Sequence, residues 1–249
     1  MSYSTLHLAD AIITLAIIAV DLMAITLALS GSLTRRLALA AVGGAWVGLA
    51  LYLGASGKLA FTPGSPVPLV GVLLAIPLIT AGVAALASAQ VRCAFRDLPM
   101  HLLIGLNAMR ILGVLFLLDL ATGSLSGPFP WFAGLGDILT GALAIPLAQK
   151  LAAGRPVSAP SIAVWNALGT LDLLLAVVLG ITTAPGSPLH LVHTGVGSQA
   201  MQYLPLSLVP TVLVPFYLVT HALVAARLRI HATSPAAPAR NIAASSLSA

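Results

Sequence analysis

Arg110 stands near the middle of the apolar run LPMHLLIGLNAMRILGVLFLLDLA, residues 98–121. A guanidinium stays charged at any biological pH, and centring one in a membrane helix costs roughly 2.5–3.5 kcal/mol on insertion scales, so it needs partners. Asp137 and Asp172 occupy two other apolar runs. With a rise of about 1.5 Å per residue across a core about 30 Å thick, Arg110 and Asp172 both fall roughly 17–18 Å from the inner face, and Asp137 roughly 21 Å. Asp21 falls at about 12 Å and His221 at about 8 Å by the same arithmetic. Arg110 therefore pairs with Asp172 or Asp137, and Asn107, one helical turn away, can donate to the same carboxylate. Trp165 shares one stripe of its helix with Gly169, Asp172 and Ala176, and Asn166 lies beside it, which completes a ligand-binding or ion-pair set of Arg110, Asp137, Asp172, Asn107, Asn166, Asp21 and Trp165.

One arginine set against Asp21, Asp137 and Asp172 leaves two negative charges over if every carboxylate ionises. Either a proton stays on some of these carboxylates or a cation shares the site. The purely structural alternative is an Arg/Asp network that fixes helix packing.

His190 and His193 have a spacing that suits a metal at the outer face, with His221 as a third ligand. The depth estimate sets His221 too far away for the three or four converging ligands that zinc needs. Axial haem ligation by His101 and His221 requires the two to face each other across one plane. No metal or cofactor is expected. Asp119 falls on the helix face opposite Arg110 and reads as a solvated helix end. The single cysteine, Cys93, excludes a disulfide framework, and the chain has no glutamate, which excludes HExxH chemistry. Gly195-Val-Gly-Ser198 lacks the supporting histidine of an intramembrane serine protease, and the last apolar run has no lysine to carry retinal.

The elements that position these groups follow from composition. Of 249 residues, 59% are hydrophobic and 7% charged, against about a quarter charged in soluble domains. Mean hydropathy is +1.06. Runs of about 20 apolar residues without two-residue alternation favour helices over a barrel. The expected fold is an all-α membrane protein, a seven-transmembrane-helix bundle with its amino terminus outside and its carboxyl terminus cytoplasmic. The spans are expected near 9–30, 37–53, 67–89, 98–121, 131–151, 161–183 and 206–228, with 1–8 outside the membrane and 230–249 a disordered cytoplasmic tail.

The net charge of +5 does not point to nucleic acid, because the basic residues fall singly or in pairs between spans. With seven spans, Arg35, Arg36, Arg92, Arg96, Lys150, Arg155, Arg227, Arg229 and Arg240 collect on one side, and Lys58 falls on the other. That asymmetry sets the orientation.

Three patterns concern packing. Asp10, Thr14, Ile17 and Asp21 share a face that looks inward. Gly44 and Gly48 have the spacing of a close helix approach. Gly134 and Gly141 bracket Asp137 on one face of its helix.

Asn107-Ala-Met-Arg110, Pro130-Trp-Phe-Ala-Gly-Leu-Gly-Asp137, Trp165-Asn166-Ala-Leu-Gly169 with Asp172, and the closing Pro210/Pro215/His221 helix resemble a group of small, uncharacterised bacterial multi-pass membrane proteins. The resemblance covers roughly the second half of the chain. It implies a bacterial cytoplasmic (inner) membrane location and that Arg110, Asp137, Asn166 and Asp172 belong together, and it implies no activity.

The function expected from the residues is binding, or proton-coupled translocation, of a small polar or cationic solute, with the lipid bilayer as the other partner. The competing readings are a membrane sensor or assembly partner, and a membrane-embedded enzyme or haem protein.

Overall fold

The computed structural model describes residues 3–61 and 69–233, which are helical apart from connecting loops and contain no strand. Among them, seven helical stretches are long and apolar enough to cross a membrane. The chain runs α1 Tyr3–Ala28, α2 Leu33–Ala55, α3 Leu69–Ala87, α4 Ala89–Asp97, α5 Met100–Leu106, α6 Val114–Thr122, α7 Pro128–Ala152, α8 Ala159–Thr183 and α9 Val214–Thr233. Their outer faces carry Leu, Ile and Val in bulk, as lipid requires.

Several boundaries differ from the sequence reading. Helix α1 starts at Tyr3, so residues 3–8 form its first turns. Helix α9 continues to Thr233, past the expected end of the last span, and the remaining tail lies outside the described residues. A short helix, α4, follows α3 after a break at Ser88, whose hydroxyl accepts the Val91 N–H as an N-cap. Arg92 donates to the carbonyls of Ala85 and Leu86 at the end of α3, satisfying groups that a helix end leaves open.

The fourth span is not one α-helix. Between α5 and α6 the chain tightens into a 3-10 stretch, Asn107–Gly113. A 3-10 helix has three residues per turn, so positions i, i+3 and i+6 eclipse one another. Asn107, Arg110 and Gly113 hold those positions and are the buried residues of the stretch.

The last span also begins irregularly, with a π turn at Val209–Leu213 before α9. Pro215 has no N–H to give the Thr211 carbonyl one turn earlier. That carbonyl accepts the indole N–H of Trp46 from α2 instead, at 3.0 Å.

Glycine spacing misleads in α2 and succeeds in α7. Among the described residues a Cβ on Gly44 or Gly48 would meet nothing within 4 Å, so neither marks a helix contact there. Gly43 and Gly54 are the tight positions there, against Leu22 and against Leu204 and Ser207. In α7, a Cβ on Gly141 would come within 2.6 Å of the Ile111 backbone nitrogen, and one on Gly134 within 3.0 Å of the Gly113 carbonyl. The two glycines let α7 lie directly on the 3-10 stretch.

Candidate functional site

Arg110 is the hub, its side chain only 1% exposed. Nε donates to Asp137 Oδ1 at 2.7 Å, and the second terminal nitrogen donates to Asp172 Oδ2. The first terminal nitrogen faces Asn107 Oδ1 at 3.5 Å, the Gly169 carbonyl at 3.4 Å and His221 Nε2 at 3.1 Å. Both carboxylates therefore bind the one guanidinium, from α7 and α8.

His221 belongs to this network, contrary to its estimated depth. Because α9 runs on to Thr233, His221 lies farther from that end of the helix than the expected span allowed. A guanidinium only donates, so Nε2 must present its lone pair. Nδ1 then carries the proton and donates to Asn166 Oδ1 at 3.0 Å. The imidazole is neutral, and both nitrogens are committed. That leaves none for a metal or haem iron, while His101 is exposed on α5.

His190 and His193 stack edge to face, 4.2 Å between centroids. Among the described residues, no group of three or more His, Cys, Asp or Glu side chains is placed to hold a metal ion.

Contrary to the expectation from its spacing, Asn107 does not donate to a carboxylate. Its amide nitrogen donates to the Leu103 carbonyl at 3.0 Å and to Thr220 Oγ1 at 3.2 Å, which aims its oxygen at Arg110. Trp165 touches neither acid. Its indole donates to the Thr140 carbonyl at 3.0 Å, and its ring packs on His221 at 5.0 Å. Asp21 is one step removed, since the Tyr217 hydroxyl donates to its Oδ2 at 2.9 Å while the Tyr217 ring lies 5.9 Å from the Arg110 guanidinium carbon.

Two glycines absent from the expected set make room for it. A Cβ on Gly136 would overlap the Asp172 carboxylate, and one on Gly169 would come within 2.7 Å of His221 Nε2 and of Thr140 Cγ2. Their signal in the sequence is faint, because 22 glycines are spread along the chain.

The inward face of α1 is as expected, with Asp10, Thr14, Ile17 and Asp21 all buried. Asp119 is not a solvated end. It is fully buried, the charge of Asp10 acts on it, and among the described residues no donor reaches any of the four oxygens of the two acids.

Each aspartate of the hub keeps one oxygen that no described donor reaches, with 18% of the Asp137 side chain and 11% of the Asp172 side chain accessible. Asp137 is set apart by the two cavities beside it. One, of about 50 Å³, lies toward Thr14 and Tyr217 and has room for roughly a water or two. The other, of about 240 Å³, is lined by Phe116, Phe129, Ala133, Ala176 and Pro210 and reaches Gln202.

No curated protein and no solved structure matches the chain. A family model does match, over residues 67–229, a stretch that holds Arg110, Asp137, Asn166, Asp172 and His221 and leaves Asp21 outside. The chain belongs to the family of the domain of unknown function DUF8737.

Proposed function

We propose that this protein binds, and by exchange with protons translocates, a small cationic solute at Asp137 in a bacterial inner membrane. What supports the reading is the division of labour inside the hub. Arg110 meets two carboxylates and three neutral acceptors and its side chain is only 1% exposed, so it is shielded from an anionic ligand and serves to hold the two aspartates. Asp137 keeps one oxygen free beside a cavity.

Charge counting points the same way. Arg110 with Asp137 and Asp172 carries one negative charge over when both acids are ionised, and the neutral His221 does not offset it. A proton or a cation at the free oxygen of Asp137 restores neutrality, and an intramembrane site gains from that because isolated charge there is costly. Exchange of one for the other is the elementary step of proton-coupled transport. The asymmetry of arginine and lysine supports an amino terminus outside and a carboxyl terminus in the cytoplasm.

The test is uptake of radiolabelled phenyltrimethylammonium, a fixed cation that does not cross lipid unaided, into proteoliposomes with and without an imposed pH gradient. Uptake is expected to require the protein, to respond to the gradient, and to be lost in Asp137→Asn. Uptake indifferent to the gradient, to Asp137→Asn and to Asp172→Asn would overturn the reading.

A further inference from the structure

We infer that the solute is an amphiphile: an aromatic or aliphatic body carrying a cationic group at one end and a hydrogen-bond acceptor at the other. The inference rests on the cation reading above and extends it to the body and far end of the ligand.

The wall of the larger cavity is almost wholly apolar. Phe116, Phe129, Leu173, Val177 and Met201 supply its surface, and Gly71, Gly180, Ala133 and Ala176 supply its space by their small size. Such a wall gives nothing to a fully hydrated ion or a sugar, whose polar groups would be stranded without partners. It favours a hydrocarbon body.

Polar groups interrupt the wall at few points. Asp137 offers the free carboxylate oxygen. Ser198 is already committed, its hydroxyl donating to the Gly180 carbonyl at 2.6 Å. Gln202 is not fully committed. Its Oε1 accepts the Phe61 N–H at 2.7 Å, which fixes the amide so that Nε2 is its other terminus. Nε2 has no acceptor among the described residues, in a side chain 4% exposed. A buried amide N–H without a partner has lost its water and gained nothing in return. Nε2 itself is sealed from the cavity space, so an ether or carbonyl oxygen arriving with the ligand meets it once the Gln202 side chain shifts to open it.

Gln202 comes from the short 3-10 turn Gln199–Gln202 in the loop after α8, and Asp137 from the first half of α7. The two are on elements far apart in the chain, and the same cavity borders both. Size follows from volume: an apolar cavity of about 150 Å³ takes benzene, so one of about 240 Å³ holds roughly ten to twelve non-hydrogen atoms.

The probes are three molecules of eleven non-hydrogen atoms. 4-Methoxyphenethylamine has the cation and the acceptor, 4-ethylphenethylamine has only the cation, and 2-(4-methoxyphenyl)ethanol has only the acceptor end. Calorimetric titration into the full-length protein in nanodiscs is expected to rank them in that order, with the ethyl amine about tenfold weaker than the methoxy amine. Gln202→Leu is expected to erase that difference, and Ala176→Phe to block all three.

Equal binding of the two amines to the unaltered protein would overturn the role of Gln202. The cation reading would survive that result if both amines still outbind the alcohol and lose affinity in Asp137→Asn. Equal binding of amine and alcohol, indifferent to Asp137→Asn, would overturn both and assign the cavity to a neutral occupant such as a lipid chain. Since the ranking is read on the unaltered protein, it does not depend on any variant folding.

Discussion

Asp137 gives one carboxylate oxygen to Arg110 Nε at 2.7 Å, keeps the other without a described donor, and borders an apolar cavity. Asp172, on the same guanidinium, sits over Gly136, where no Cβ could fit. The two aspartates have one partner in common and different surroundings, so they should respond differently to substitution.

Removing the guanidinium should be far worse than removing the whole charged set. Arg110→Met strands two buried carboxylates, with an expected loss of about 3–5 kcal/mol. The triple variant Arg110→Met, Asp137→Asn, Asp172→Asn should recover most of it. Unfolding midpoints in detergent measure both, and a triple variant as unstable as the single one would refute the pairing.

Gly136→Ala changes no charge, yet it should displace the Asp172 carboxylate and weaken amine binding at least tenfold. Gly141→Ala should destabilise the fold by about 1–3 kcal/mol, since the added methyl meets backbone that cannot rotate aside. Gly44→Ala and Gly48→Ala should be neutral or stabilising, by up to about 1 kcal/mol, because alanine is the better helix former and the space is open.

The hydrogen bonds of His221 assign its tautomer. Nitrogen NMR of labelled protein at neutral pH should show an uncharged ring with its proton on Nδ1. A proton on Nε2 would contradict the contact with Arg110, which has nothing to accept it.

Asp10 and Asp119 have four buried oxygens and no donor among them. Asp119→Asn removes a buried acid and its repulsion with Asp10, so it should raise stability by about 1–2 kcal/mol. Lower stability in this variant would mean that the acid pair is itself needed for folding.

Cys93 is exposed on α4, on the side that the basic residues assign to the cytoplasm. A membrane-impermeant maleimide should label it only after cells are permeabilised. Labelling in intact cells would invert the orientation.

The span count was legible because lipid imposes it: a helix of some twenty residues is the shortest one that satisfies its own backbone across hydrocarbon. That Arg110 meets Asp172 or Asp137 was legible for a related reason, since charges at one depth have only one another; that it holds both at once was not. The break in the fourth span was not, because a 3-10 stretch appears where packing against Gly134 and Gly141 of α7 rewards a narrower helix. His221 was misplaced with it, since a depth counted from an assumed span end carries every error in that end.

From its sequence alone this chain had to be a multi-helix membrane protein with a buried arginine that acids must meet, because neither its apolar surface nor an unpaired guanidinium is tolerable otherwise. Which acid oxygen stays free, which histidine nitrogen carries the proton and where Gln202 points were decided by tertiary packing. Those properties depend on side-chain directions set by glycine contacts between helices, and a linear spacing does not encode such contacts.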